Sequence, residues 1–234
     1  MNDKIKVILA LVSAVLLLIL IFFKSNDLNK QKETDSYKFK VEYEELNNKK
    51  DEDGNKYQEV LIDKENPIKY SSYEKINKIL SNETGVIYFG NSKSLWCRAM
   101  IATLIDAANS NGLDTIYYVN TYDSKEEYEV KDDKIVKLKD GDKGYKDTLV
   151  MLNEYLYEYI IEKDGKEYDT NTKTIDDSLV VFVKDGKIVG TNLKTVDTHT
   201  DPLKEMSKEE KEELFKKYAE LIHTVLDDTC DEAC

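Results

Sequence analysis

The apolar positions of the chain fall into short runs that alternate between strand-like and helix-like spacing. Short apolar runs predict strands at residues 57–62, 85–89, 115–119, 179–183 and 187–191. Apolar residues recur every three or four positions at residues 73–81, 96–111, 145–162 and from 207 onwards, which predicts helices. Ser71 and Ser207 each precede a glutamate by three residues, the pattern of a capping box at a helix start.

The order of these elements predicts an α/β fold with a central mixed sheet flanked by helices. Strands that are joined through helices run parallel to one another by right-handed crossovers. The last two strands are separated only by the turn at residues 184–186, so they pair as an antiparallel hairpin. Residues 122–144 are acidic and rich in lysine, and we expect an insertion there with a short hairpin at 130–138.

The N-terminal segment is far more apolar than the rest of the chain. Residues 7–23 form a run of 17 residues in which only Ser13 is polar, with lysines on both sides. A membrane-spanning helix needs about 20 apolar residues, or about 17 at the short end, and flanking lysines extend its reach. The alternative is a cleaved signal peptide, but no small-residue cleavage site follows Phe23. We predict a single-pass membrane anchor at 1–24, with the main domain extracytoplasmic.

Composition divides the remaining residues into a stalk, a domain and a tail. Residues 25–56 are polar and charged, as in a solvated stalk and N-terminal extension with some helix. Residues 57–228 suit one domain, and 229–234 form a short tail that contains Cys230 and Cys234. The net charge of −13 argues against a nucleic-acid partner.

A cysteine stands where a predicted strand passes into a helix. Residues 85–89 lead through Gly90 and a polar loop to Cys97, in the first turn of the helix that follows. Free backbone N–H groups and the positive end of the helix dipole stabilise a thiolate at such a position, which lowers its pKa. The sequence therefore predicts a reactive thiol.

These residues carry a resemblance to a known family. Tyr-Phe-Gly at 88–90 and Ser-Leu-Trp-Cys-Arg at 94–98 resemble the active-site segment of the thioredoxin superfamily. The likeness is to membrane-anchored thioredoxin-like proteins of Gram-positive bacteria, which are akin to bacteriocin transport accessory proteins. It covers roughly residues 57–226, and residues 180–187 match the closing hairpin of that family. The resemblance implies a thioredoxin-like fold and thiol–disulfide redox chemistry.

Two positions depart from the pattern of the family, so its redox motif, CxxC, is degenerate here. Ser94 stands where the family has its attacking cysteine, while Cys97 matches the resolving cysteine. Ser178 stands where the family has a cis-proline, and we expect a trans bond there. A serine hydroxyl has no redox chemistry, although it can donate a hydrogen bond to the Cys97 sulfur. The resemblance also implies that Cys97 is buried, and buried cysteines are mostly inert.

The sequence leaves two interpretations open for each of the two residues that flank Cys97. In the resembling proteins the tryptophan matched by Trp96 lines the surface that partner proteins touch, whereas packing over the loop is the alternative. Arg98 either stabilises a Cys97 thiolate by its charge or is a solvated residue of the first helical turn.

The two tail cysteines leave the disulfide pairing undecided. Cys230 and Cys234 are four residues apart, within disulfide range in a helical turn, and either one is also a candidate partner for Cys97. A metal site there lacks two further ligands, so we expect no metal. His199 and His223 have no nucleophile at motif spacing, which leaves a catalytic triad unsupported. No glycine-rich phosphate loop appears, and we expect no cofactor.

The sequence thus favours one function and leaves a rival. We expect a protein-binding or accessory module at the cell membrane that retains the thioredoxin groove without dithiol turnover. The rival is a thiol–disulfide oxidoreductase or isomerase in which Cys97 works with Cys230 or Cys234.

Overall fold

The structure is a computed structural model that describes residues 34–122 and 124–227, together with Val12 and residues 15–19. The helices in the two long ranges are α1 (Asp35–Glu44), α2 (Tyr73–Asn82), α3 (Leu95–Ser110), α4 (Lys143–Met151) and α5 (Lys208–Leu226). The strands are β1 (Ile68–Tyr70), β2 (Gly85–Gly90), β3 (Ile116–Asn120), β4 (Glu127–Lys131), β5 (Lys134–Lys139), β6 (Tyr157–Lys163), β7 (Lys166–Thr174), β8 (Leu179–Lys184) and β9 (Lys187–Leu193).

Five strands form a central mixed sheet in the order β1-β3-β2-β8-β9. The strands β1, β3 and β2 run parallel to one another, whereas β8 is antiparallel to both β2 and β9. The predicted α/β class, the central mixed sheet and the closing hairpin are therefore confirmed.

Helices cover both faces of this sheet. Val86 and Tyr88 of β2 pack into a core with α1, α3 and α5, while Ile87 and Phe89 pack into a second core with α2 and α4. Successive side chains of a strand point to opposite faces, so a strand between two helical layers is apolar at every position. All six residues of β2 are buried, as the uninterrupted apolar run predicts.

Residues 57–62 do not form the predicted first strand. The chain is extended there and buries Tyr57, Val60 and Ile62, but it pairs with no strand. Side chains satisfy its backbone instead: Asn47 bonds both the N–H and the carbonyl of Val60, and Glu44 accepts from the N–H of Ile62. The first strand of the sheet is β1, which is only three residues long.

The helix predicted at 145–162 is also wrong in its second half. Helix α4 ends at Met151, a short 3-10 turn follows, and residues 157–174 form the hairpin of β6 and β7. Asp164 and Gly165 in its turn both have positive φ, which matches the right-handed twist of a hairpin. Tyrosines and isoleucines favour strands, and here that preference prevails over apolar residues that happen to recur at helical spacing.

Other boundaries agree with the sequence, with small shifts. The insertion contains the hairpin of β4 and β5. Ser207 forms the expected capping box with Glu210 at the start of α5. The cap of α2 is Ser72 rather than Ser71, since the Ser72 hydroxyl accepts from the N–H of Lys75.

The packed body begins earlier than residue 57. Helix α1 lies within residues 25–56, and its Phe39 and Tyr43 are fully buried in the core. No helix among the described residues is long and apolar enough to cross a membrane. Most of the predicted anchor, as well as Cys230 and Cys234, lies outside the described residues.

Candidate functional site

The loop between β2 and α3 has a defined shape. The Asn91 side chain accepts hydrogen bonds from the N–H groups of Lys93 and Ser94, both at 3.0 Å. Ser94 is the N-cap of α3, and its hydroxyl oxygen accepts from the N–H of Cys97 at 3.4 Å. Serine is a favoured N-cap because its oxygen replaces a missing backbone acceptor. Ser94 therefore starts the helix that carries Cys97.

Cys97 is fully buried, and its environment opposes ionisation. Burial, followed by the negative charge of Asp177, raises the pKa of the thiol to about 11. Hydrogen bonds from Tyr88, from Ser94 and from the backbone of Asn91 oppose this rise but do not reverse it. The expectation of a lowered pKa at a helix start is wrong, because desolvation outweighs the partial charge of the helix terminus.

Two tyrosines connect Cys97 to helix α1. The Tyr88 hydroxyl interacts with the Cys97 sulfur and also shares a hydrogen bond of 2.8 Å with the Tyr43 hydroxyl. Gly90 leaves the space for this arrangement. A Cβ at that position would lie 2.5 Å from the Tyr88 ring and 2.9 Å from the Cys97 sulfur.

Ser178 closes the site from the side of β8. It is buried, its N–H donates to the Phe89 carbonyl at 2.9 Å, and its φ is 77°. The described residues contain no cis peptide bond, in agreement with the trans bond expected there. Its neighbour Asp177 accepts from the Thr121 hydroxyl and pairs with Lys125 at 3.6 Å. Ser94 thus bonds Cys97 directly, whereas Ser178 bonds the β2 strand that leads to it.

Trp96 lies half-buried beside the site. The Trp96 and His199 rings are nearly perpendicular, with centroids 5.7 Å apart, and the Lys194 ammonium lies 5.2 Å from the Trp96 centroid. Lys194 also acts on Asp176, where its charge opposes the rise that burial causes in the pKa of that carboxyl. We call the group Trp96, Lys194, Asp176, Asp177 and Lys125 the Trp96 surface.

His199 supports Trp96 and has no free nitrogen for chemistry. Its Nε2 donates to the Lys204 carbonyl at 2.9 Å, since a carbonyl can only accept. Its Nδ1 then accepts from the Thr195 hydroxyl at 3.0 Å. Only the long-range contact with Trp96 gives it a place in the site, and the sequence carries no signal for that contact.

Arg98 is neither solvated nor paired with the thiol. It is 2% exposed, and its guanidinium donates to the carbonyls of Gln58, Tyr43 and Ser92 and to the side-chain oxygen of Asn47. All of these acceptors are neutral. Both sequence-based interpretations of Arg98 are therefore wrong, because residues distant in sequence enclose it.

The C-terminal tail begins far from Cys97. Lys184, at the end of β8, donates to the carbonyls of Thr224 and Asp227, whereas the other end of β8 lies beside the site. Five residue steps along β8 span about 17 Å. Cys230 is three residues beyond Asp227, a reach of about 10 Å at most. Cys234 is seven residues beyond Asp227, a reach of about 24 Å, but it would have to enter the core to meet the buried Cys97.

The arrangement permits little covalent chemistry. Among the described residues Cys97 is a free buried thiol, and its hydrogen-bond neighbours there are hydroxyls and backbone rather than a second sulfur. In the described ranges no group of three or more histidine, cysteine or acidic side chains is placed to hold a metal ion. What remains accessible is the half-buried Trp96 surface.

Comparisons of this chain with known protein families, with curated proteins and with solved structures found no significant match.

Proposed function

We propose that this protein is a thioredoxin-like binding module that does not turn over disulfides. The strand order β1-β3-β2-β8-β9, with an antiparallel closing hairpin, is compatible with that fold and supports the proposal. The observation that carries it is the state of Cys97. The thiol is buried, its pKa is raised to about 11, and a serine hydroxyl occupies the place of the second sulfur. Thiol–disulfide exchange requires a thiolate and access to it.

Reduction of insulin disulfides tests the absence of turnover. We expect wild type and Cys97→Ala to be equally inactive, because the wild-type thiol is protonated and enclosed. We expect Ser94→Cys to acquire a disulfide with Cys97 that dithiothreitol reduces, since residue 94 already contacts the sulfur. Insulin reduction by wild type that disappears in Cys97→Ala would overturn the proposal in favour of the oxidoreductase.

The binding function is assigned to the Trp96 surface. Aromatic residues are enriched where proteins bind one another, and this surface combines an accessible indole with charges of both signs. The occupant that we propose is an extended, unfolded polypeptide of a protein partner. Trp96 is the single tryptophan of the chain, so its fluorescence reports on this surface alone.

A fluorescence titration with reduced, alkylated insulin B chain tests this assignment. We expect the Trp96 emission to change with saturation in wild type, and the midpoint to rise several-fold in Lys194→Ala. Lys187→Ala is the matched control, because it removes a lysine from the opposite end of β9. An unchanged emission, or equal midpoints for the two lysine variants, would contradict the assignment.

We also propose that residues 7–23 hold the module at a membrane, with the body outside the cytoplasm. The support is the apolar run with its flanking lysines. Protease treatment of intact cells should remove the body while leaving an anchored N-terminal fragment. Recovery of the whole chain in the soluble fraction would contradict this.

A further inference from the structure

Helix α1, the turn at 45–48 and the extended segment 57–62 form one unit over the Cys97 end of the sheet, which we call the clamp. The Lys40 ammonium donates to the Ile62 carbonyl at 2.6 Å, and the Glu44 carboxylate accepts from the Ile62 N–H at 2.9 Å. Asn47 bonds both backbone groups of Val60 at 2.8 and 3.0 Å. Side-chain bonds thus tie the helix to the extended segment, so the two parts move together.

The clamp contributes no strand to the central sheet. The sheet consists of β1, β3, β2, β8 and β9, and each of these begins after residue 62. The clamp attaches through aromatic packing and side-chain hydrogen bonds instead. Phe39 contacts Tyr118 at 4.8 Å, Tyr43 bonds Tyr88, and Glu42 accepts from the Tyr118 hydroxyl at 2.8 Å. Departure of the clamp therefore breaks no strand pairing.

Arg98 is the polar centre of the attachment. Of its five hydrogen bonds, four go to the clamp: two to the Gln58 carbonyl, one to the Tyr43 carbonyl and one to the Asn47 side chain. No carboxylate is among the acceptors, so the cation is buried against neutral hydrogen-bond acceptors and the Tyr57 ring, whose centroid lies 5.3 Å from the guanidinium carbon. Burial of an unpaired charge costs free energy that hydration restores on exposure. Part of the cost of opening is therefore offset at Arg98.

We propose that the clamp is a cover that opens as a unit while the sheet stays folded, and that opening exposes Cys97 and Arg98 together. In the closed state burial keeps the thiol protonated. In the open state the thiol meets water at a helix start beside a guanidinium, conditions that favour the thiolate. This inference does not depend on the protein's being a binding module.

The test is the rate at which a maleimide labels Cys97 in the full chain carrying Cys230→Ser and Cys234→Ser. A buried thiol reacts through the conformations that expose it, and the urea dependence of the rate reports how much surface those conformations uncover. We expect slow labelling at low urea. The rate should rise with urea concentration much less steeply than the rate of labelling through global unfolding would. Labelling as fast as in the unfolded chain, or with the full urea dependence of unfolding, would overturn the proposal.

Two matched asparagine variants distinguish the effect of loosening the clamp on the labelling rate from the effect of general destabilisation. Asn47→Ala removes one bond to Arg98 and both bonds to Val60, and we expect labelling about tenfold faster or more. Asn77→Ala is the control. Asn77 is also partly exposed, and it bonds Thr148 and Gly144 between α2 and α4 on the opposite face of the sheet. Equal acceleration by the two variants would overturn the proposal.

A milder variant covers the case in which Asn47→Ala does not fold. The Gln58 side chain donates to the carbonyls of Pro202 and Lys204 at 2.7 and 2.6 Å, and so fastens the clamp to the loop before α5. Gln58→Ala should speed labelling several-fold without a matching loss in the urea midpoint of unfolding. An unchanged labelling rate would contradict the proposal that the clamp opens as a unit.

Discussion

The Cys97 thiol occupies a position where two local effects oppose each other. The start of α3 and three hydrogen bonds favour the thiolate, whereas burial and the charge of Asp177 disfavour it. Desolvation is the largest contribution, because a charge in the core loses its water on every side. The thiol is thus held as a small apolar residue with a weak donor.

This raised pKa predicts a loss of stability at alkaline pH. The unfolded thiol, with a pKa near 9.0, loses its proton before the folded thiol with a pKa of about 11. The folded state then binds more protons, so the contribution of Cys97 to stability falls as pH rises from about 9 to about 11, by up to about 3 kcal/mol.

Urea unfolding of wild type and Cys97→Ala between pH 8 and 11 measures this contribution. The difference in the free energy of unfolding between the two proteins should shrink across that range, because alanine does not titrate. A difference that is independent of pH would show that the folded thiol titrates normally.

The backbone conformation of Ser178 predicts different effects on stability for two substitutions. Its φ of 77° is accessible to glycine but not to proline, whose ring fixes φ near −65°. Ser178→Pro also removes the N–H that donates to Phe89. We expect Ser178→Pro to destabilise the fold by more than about 1 kcal/mol, and Ser178→Gly to lie within about 1 kcal/mol of wild type. Thermal unfolding of both variants checks this, and equal stability would contradict it.

At the scale of elements, β2 determines where the chemistry of the site lies. The strand is buried on both faces between β3 and β8, and its last residue, Gly90, contacts both Tyr88 and the Cys97 sulfur. The sheet therefore brings Ser178 and Ser94 to the same end of the strand. A site built on a central strand is rigid, because its backbone is paired on both sides.

Two glycines of β2 provide a comparison of tight and tolerant positions. A Cβ at Gly90 meets Tyr88 and Cys97 at 2.5–2.9 Å, whereas a Cβ at Gly85 first meets the Tyr117 ring at 3.0 Å. We expect Gly90→Ala to lower the free energy of unfolding by about 1–3 kcal/mol through overpacking, and Gly85→Ala to lower it less. Urea denaturation of the two variants measures both values. Equal losses would show that the site has room to relax.

At the scale of the whole molecule, the layout separates Cys97 from Asp227, the point where the C-terminal tail begins. Helix α5 returns along the sheet and ends beside Lys184, the end opposite to the site. Cys230 lies only three residues beyond Asp227, which is too short a chain to bring its sulfur to Cys97. Cys230 is therefore out of reach of Cys97, and the rival oxidoreductase mechanism would depend on Cys234 entering the core.

Mass mapping of disulfides in air-oxidised, folded protein tests this separation. We expect the peptide containing Cys97 to be recovered with a free thiol, and any disulfide to join Cys230 and Cys234 within or between chains. The same mapping after oxidation in urea is the control, since unfolding releases all three thiols. A Cys97–Cys230 link in the folded monomer would contradict the layout.

Much of the architecture follows from local sequence. The apolar runs of β2 and β8 predicted strands, the capping box at Ser207 predicted α5, and the turn at 184–186 predicted the closing hairpin. The strand–helix junction at Cys97 was likewise readable, because a β-branched run, a glycine and a helical period occur in succession. These features depend on interactions between near neighbours in the chain.

The tertiary structure decided the features that depend on distant residues. Burial reversed the expected shift at Cys97, and the clamp turned Arg98 from a predicted surface residue into a buried cation. Residues 57–62 lost their predicted strand because the side chains of Glu44 and Asn47 satisfy their backbone. The sequence alone thus determined where the thiol sits along the fold. Its ionisation depends on the dielectric and the charges of groups that only folding brings around it.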